Sequence, residues 1–201
     1  MARELEGRVA LVTGAGRNIG RAIALDLAAA GAAVVVNARS NRAEAEAVAT
    51  EIAAFGGRAA VALGDVTDTD AVAGMVRAAL DTFGRLDILV NNAAIRREMP
   101  FAEMDFASWR AVLDVCLDGA FHCARAALPA LRQSGRGTVI NIGGLTGHSG
   151  AANRAHVVTA KAGLAGFTRA LAHDLAADGI TVNLVAPGLI DTARNTARPH
   201  H

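Results

Sequence analysis

Two observations predict an open α/β fold, a doubly wound parallel sheet with helices on both faces. Strand-like and helical segments alternate six times along the chain, and the first strand turns through glycines directly into a helix. That opening stretch, RVALVTGAGRNIGRAIALDLAAA from Arg8 to Ala30, reads as an apolar strand (Val9 to Val12), a glycine-rich turn (Thr13 to Gly20) and a helix. The helix repeats apolar residues at Ile19, Ile23 and Leu27, the spacing of one buried face. Glycines allow close backbone approach, and the free N–H groups and dipole of a helix N-terminus favour an anion, so the stretch is expected to hold a phosphorylated ligand.

The remaining elements follow in order. A second strand covers Ala33 to Val36 and ends in NARSN; a helix over 42–55 places Ala45, Val48, Ala49 and Ile52 on one face. Gly56 and Gly57 stop it, and residues 58–63 form a third strand. Thr67 or Asp68 is placed to cap a helix that turns Val72, Val76, Ala79, Leu80 and Phe83 inward. Asp87 to Val90 is the fourth strand, followed by the polar loop NNAAIRREMP, a long helical segment over about 105–134 and a fifth strand, Thr138 to Ile142. A glycine-rich loop, GGLTGHSGAANR, precedes a helix over 155–177 with Leu164, Phe167, Leu171 and Leu175 in register. The sixth strand, Thr181 to Val185, is ended by Ala186-Pro187-Gly188. In such a sheet ligands bind beyond the carboxyl ends of the strands, so these loops are expected to converge on one site.

Composition narrows the partners. With 201 residues, 52% of them hydrophobic, the chain suits one domain with a substantial core, taken as residues 1–201. A net charge of +1 with 19% charged residues argues against an electrostatic grip on nucleic acid or anionic membrane. No stretch approaches the roughly 20 apolar residues of a membrane span, and MARELEGRVA lacks the apolar core of a secretory signal, so the cytoplasm is expected. Cys116 and Cys123, on one helix, stand about 10.5 Å apart along its axis and are expected to be reduced packing residues. No metal site is expected. The chain contains no tyrosine.

The glycine spacing Gly14, Gly16, Gly20 does not match G-x-G-x-x-G. Thr13-Gly14, Asn18, Ile19 and Gly20 instead resemble the TGxxxGxG turn of the short-chain dehydrogenase/reductase family. The resemblance runs on in order through Asp65-Val66, Asn91-Asn92-Ala93, Lys161 and Pro187-Gly188, and so covers nearly the whole chain. It implies a Rossmann-like fold and a dinucleotide held by the turn. Two positions depart from the pattern: Asn18 replaces the middle glycine, and Ala94 replaces the last residue of NNAG. Asparagine tolerates positive φ, and alanine adds only a methyl, so neither abolishes binding.

The second strand selects the nucleotide. The family's acidic position, which would bind a ribose 2′-OH, aligns with Ala38, and Arg39 follows; Arg17 lies inside the glycine turn. Two guanidiniums around a 2′-phosphate predict NADP(H) rather than NAD(H). The resemblance further implies that Asp65 and Val66 contact the adenine and that Asn91 and Ala93 contact the adjacent ribose. Pro187, Gly188, Ile190 and Thr192 would position the nicotinamide carboxamide.

The family's catalytic set of Asn, Ser, Tyr and Lys is mostly missing. Lys161 in VVTAK matches the lysine; the tyrosine position is then Val157, the serine position Gly144 and the asparagine position Cys116. His156 is rotated about 100° from position 157 on a helix. His148 and Ser149 on the loop are freer to act, and histidine has a suitable pKa. Thr146 and Thr159 carry hydroxyls that are poor unaided acids. The sequence given ends at ARNTARPHH soon after Thr192, where the resemblance implies a helical lid, a further helix and a last strand; two expectations stay open, that these elements are absent or that the sequence is a fragment.

Two functions follow. One is an NADPH-dependent reductase of a small carbonyl substrate, similar to 3-oxoacyl-carrier-protein reductases but with an altered active site. The other is a catalytically inactive NADP(H)-binding sensor or partner subunit. The resemblance implies a homo-oligomer, a dimer or tetramer, paired through the helices at about 105–134 and 155–177.

Overall fold

A computed structural model of the chain describes residues 3–192. Six strands form one parallel sheet: β1 (Val9–Val12), β2 (Ala33–Ala38), β3 (Arg58–Leu63), β4 (Ile88–Asn91), β5 (Thr138–Ile142) and β6 (Thr181–Val185). Their order is β3-β2-β1-β4-β5-β6. Strand order therefore reverses between β1 and β4, the switch point at which such sheets open a crevice for ligands.

Strand periodicity divides the interior into two cores. Val9 and Leu11 of β1, Ala33 and Val35 of β2 and Leu89 of β4 face one core, shared with α3 (Thr69–Phe83), α5 (Gly119–Ser134) and α7 (Ala155–Asp174). Ala10 and Val12, Val34 and Val36, Ile88 and Val90 face the other, covered by α1 (Asn18–Ala29) and α2 (Arg42–Ala54). Both faces of the central strands are buried, which is why those strands read as continuous apolar runs.

Helix α1 packs differently from expectation. Ile19, Ile23 and Leu27 are only partly buried; the fully buried positions are Gly20, Ala24 and Ala28. Small residues on the inner face let the helix lie close to the sheet, and the larger residues flank the contact. In α3, Met75 joins Val72, Val76 and Ala79 in the core, and Asp68 is the cap, accepting from the backbone N–H groups of Asp70 and Ala71.

Four boundaries move. β2 runs to Ala38 because Asn37 and Ala38 pair with β3, and β4 runs Ile88–Asn91 because Asn91 pairs with Asn141. The segment expected as one helix over 105–134 is α4 (Phe106–Leu113) and α5 joined by a π turn, Asp114–Asp118. There Gly119 N–H donates to the carbonyl of Asp114, five residues back. The last long helix ends at Asp174 and gives way to a 3-10 turn, Ala176–Asp178. Within the loop after β5, Thr146–Ser149 form a helical turn, α6. Residues 193–201, where the lid was expected to be missing, lie outside the described residues.

At the opposite end from the ligand crevice, Asp87 ties three elements together. Its fully buried carboxylate accepts from Val9 N–H (2.9 Å) and from Arg85 Nε (2.8 Å) and Nη2 (2.6 Å), with Arg136 at 3.5 Å. Burial raises its pKa, but hydrogen bonds from Arg85 and Val9 and the charges of Arg85 and Arg136 outweigh that and hold it below the ordinary value. A carboxyl with a depressed folded-state pKa stabilises the fold above its unfolded pKa, about 3.9, and that stability is lost as pH falls through the folded value. Asp87→Ala is expected to cost about 1–3 kcal/mol, mainly by leaving the buried Val9 N–H without its acceptor, since Arg85 and Arg136 stay partly exposed to water. In urea titrations the wild type's advantage over Asp87→Asn is expected to shrink as pH is lowered below about 3.9.

Candidate functional site

The turn between β1 and α1 is fixed by three side chains. Asn37, buried at the end of β2, accepts the N–H of Gly14 on Oδ1 (3.0 Å), while its backbone carbonyl accepts the N–H of Ala15 (2.7 Å). Its own amide donates to the carbonyls of Ala62 and Gly64, both at 3.1 Å. Asn92 Nδ2 donates to the carbonyls of Thr13 (2.8 Å) and Gly14 (3.1 Å). Thr13 Oγ1 accepts the N–H groups of Asn92 (2.9 Å) and Ala93 (3.0 Å) and donates to the carbonyl of Val90. The loop after β4 is thereby bonded to the glycine turn.

Space at the turn is set by Gly20. A Cβ there would stand 2.3 Å from the Gly14 carbonyl oxygen and 2.5 Å from Asn92 Nδ2. Gly14 has φ +61°, and Asn18 takes the left-handed conformation at φ +52°, a region asparagine adopts at low cost. No side chain caps α1, and its first turn carries no acidic residue. The helix N-terminus therefore keeps its N–H groups and positive potential for an anion. Arg17 at the N-cap and Arg39 just beyond β2 are both exposed, and the side chain of neither forms a hydrogen bond or ion pair with another described residue.

Beyond β3, Asp65 closes a local turn by accepting the backbone N–H and hydroxyl of Thr67. Val66 is buried, with its side chain against Gly119. Val66, Asn91, Ala93 and Lys161 come together with Thr13 and Cys116 to line a narrow crevice at the ends of β1 and β4. Asn91 Nδ2 donates to Asn141 Oδ1 (2.8 Å), Asn141 Nδ2 to Thr168 Oγ1 (2.9 Å), and Thr168 Oγ1 to the Leu164 carbonyl (2.7 Å). This buried chain fixes β4, β5 and α7 to one another and leaves Asn91 Oδ1 without a partner. Pro187, Gly188, Ile190 and Thr192 follow β6 and do not line the crevice; the Pro187 carbonyl accepts from Leu145 N–H, tying that loop to the one after β5.

On α7 the Lys161 amine donates to the Ile142 carbonyl at 2.6 Å. Burial lowers its pKa, an effect that the nearby Cys116 thiol partly opposes. Cys116 sits on the π turn, where its thiol accepts from Ile95 N–H (3.4 Å) and donates to the Ile95 carbonyl; burial pushes its pKa up. Cys123 is also a free, buried thiol, pushed up to about 12 by burial. Cys116 and Val157 belong to one small apolar cluster with Val112 and Ala160. Gly144 has open space where a Cβ would stand.

Of the alternative proton donors, His156 is fully buried with neither ring nitrogen bonded, and His148 and Ser149 are exposed on α6. Neither those three residues nor Thr146 or Thr159 lines the crevice. Among the described residues no group of three or more His, Cys, Asp or Glu side chains could hold a metal, and no helix is long and apolar enough to cross a membrane.

Asn37, Asn141 and Thr168 were not singled out from the sequence. The available signal was polarity inside apolar runs, at VVVN and TVIN, since a buried amide requires partners. Because the turn closes only around a bare Cα, Gly20→Ala is expected to cost about 1–3 kcal/mol in urea unfolding and to abolish nucleotide binding. Gly74→Ala, in α3 with open space around it, is expected to be neutral or to stabilise by up to about 1 kcal/mol.

The geometry agrees with what the chain is similar to. The sequence profile of the short chain dehydrogenase family matches residues 8–201. A 3-oxoacyl-acyl-carrier-protein reductase from Synechocystis is 44% identical over 188 residues, which cover 94% of this chain and 76% of that protein. The corresponding reductase of Staphylococcus aureus strain Mu50 is 43% identical over 181 residues, covering 90% and 74%. Among solved structures, one described as a short-chain alcohol dehydrogenase from Sinorhizobium meliloti 1021 superposes with a TM-score of 0.93 at 41% identity, covering 98% of this chain and 78% of that one. The fold, the glycine turn and these matches together place the chain in the short chain dehydrogenase family, whose members are oxidoreductases.

Proposed function

We propose that the chain is an NADPH-dependent carbonyl reductase acting on a small 3-oxoacyl-like substrate through an altered active site. The observation that carries this reading is the Gly20-sized turn beneath an uncapped helix, set beside a crevice lined by Lys161. Gly14, Asn18, Ile19 and Gly20 would hold the pyrophosphate. Arg17 and Arg39, free of protein partners, would take the 2′-phosphate. Asp65 and Val66 would border the adenine. Asn91, whose buried Oδ1 lacks a donor, and Ala93 would meet a ribose. Lys161 would hold the nicotinamide ribose, and Pro187, Gly188, Ile190 and Thr192 the carboxamide. The bound nicotinamide would supply the hydride; the residues of this chain position it and handle the proton.

A second reading, a non-catalytic NADP(H)-binding subunit, is favoured by the packing of Cys116 and Val157 into one apolar cluster, where the family has proton-handling groups. Homo-oligomerisation through α5 and α7 is supported by Phe121, half exposed on α5 and edge-on to Phe167 of α7 with ring centroids 6.4 Å apart. The same reading puts the chain in the cytoplasm.

Incubation with NADPH and a panel of β-ketoacyl thioesters, diketones and quinones separates the two readings. The reductase reading expects NADPH oxidation above a no-protein control; binding without oxidation leaves the second. For the cofactor, losing one charge-assisted contact predicts that Arg39→Ala weakens NADPH about 10–100-fold in calorimetry and leaves NADH unchanged. Equal NADPH binding by variant and parent would remove Arg39 from the site.

A further inference from the structure

Lys161 is the only lysine in the sequence; every other one of the 20 lysine-plus-arginine positions is arginine. Arginine does not release its proton in proteins, whereas lysine can. The one lysine of the chain therefore lies on the crevice, which no histidine lines.

The other polar groups there are committed or are not acids. Thr13 Oγ1 already donates to the Val90 carbonyl. Asn91 offers an amide. The Cys116 thiol donates to the Ile95 carbonyl and is held in its protonated form by burial. By contrast, one hydrogen bond anchors Lys161 Nζ to Ile142, two N–H bonds of the ammonium remain, and no carboxylate pairs with it among the described residues. The stem is held in place: a Cβ on Gly147 of α6 would stand 2.9 Å from Lys161 Cβ, so the two helices meet backbone to stem. One turn back on α7, Val157 packs against Val112 and Cys116, and Gly144 presents no side chain, so neither position sets a hydroxyl beside the amine.

We propose, resting on the reductase reading, that Lys161 itself is the general acid of this chain, its ammonium group giving the proton directly to the substrate oxygen. The carbonyl carbon accepts a hydride from the reduced nicotinamide, and the C=O π pair moves to oxygen. An Nζ–H bond breaks as the O–H bond forms, and the neutral amine recovers its proton from water. Burial without a counterion makes the ammonium a stronger acid than an exposed lysine, which suits that transfer.

Because the chain has one lysine, lysine labelled with carbon-13 and nitrogen-15 yields a single side-chain signal, which can be titrated by NMR in the ligand-free protein. The expected midpoint lies below the ordinary lysine range, and kcat/KM is expected to fall as pH rises through that same midpoint. Lys161→Arg keeps a charge and hydrogen bonds but has no proton to release. It is expected to lower kcat about 10²–10⁴-fold and to remove the alkaline limb, with a far smaller change in the Kd for NADPH. A signal titrating in the ordinary lysine range, or wild-type kcat in Lys161→Arg, would overturn the proposal and leave the reductase reading standing. A chain that binds NADPH yet reduces no member of the carbonyl panel would overturn both.

Discussion

No side chain fits between helix α1 and the turn that leads into it, and the ligand end of the molecule depends on that close contact. Gly20 lies against the Gly14 carbonyl and Asn92, so the helix axis points its free N–H groups over the end of β1. Asn37, accepting the Gly14 N–H from the side of β2, and Asn92, donating to the Thr13 and Gly14 carbonyls from the loop after β4, then hold the turn from both sides. Two parallel strands that flank β1 in the sheet thus also flank its turn, and the turn at the switch point in strand order is held in the shape that the proposed anion cradle requires. The burial of Ala24 and Ala28 in place of Ile23 and Leu27 follows from the same contact, since a helix seated that close has room beneath it only for methyl groups.

A second constraint shapes the crevice from the other side. The π turn inserts one residue's worth of rotation between α4 and α5 and carries Cys116, whose thiol is bonded both ways to the backbone of Ile95. Cys116 in turn packs with Val157 of α7. Cys116 and Val157, which the sequence reading aligns with the family's Asn and Tyr positions, are therefore one packing unit. A bulky phenol at 157 or an amide at 116 would each have to reshape that cluster, so the substitutions are physically coupled rather than independent. Gly144 is different: nothing occupies the space its missing side chain leaves, and its loss of the hydroxyl changes no packing.

Much of the fold was legible because its signals are local. Apolar runs bounded by glycine and polar residues place all six strands to within two residues, and side-chain chemistry narrows the cap of α3 to Thr67 or Asp68, of which the structure uses Asp68. The π turn was not legible, because one extra residue in a helical repeat leaves a pattern that still reads as a helix. The Asn91–Asn141–Thr168 chain was hidden for another reason: its members are 50 and 27 residues apart, and only strand register brings them face to face. At the site, motif order places Gly14, Asn18, Gly20, Asn91 and Lys161 around one switch point, but the cleared protein contacts of Arg17 and Arg39 and the missing partner of Asn91 Oδ1 are properties of packing, invisible until the elements are assembled.

The elements that would grip a nucleotide and those that would carry the chemistry meet at few points. The cradle is made by β1, α1 and the end of β2; the crevice is completed by the π turn and α7. Thr13 joins them through the loop after β4, and the asparagine chain joins β4 to α7. Changes confined to the second set leave the glycine turn and its hydrogen bonds intact, so an altered catalytic set would not entail loss of the proposed binding. Lys161 stands on the boundary between the two. Its amine is taken out of water with a single carbonyl as partner, which opposes its charge; an apolar side chain of similar length would avoid that penalty. A group that costs stability where it sits is explained by what it binds or protonates, not by what it packs against.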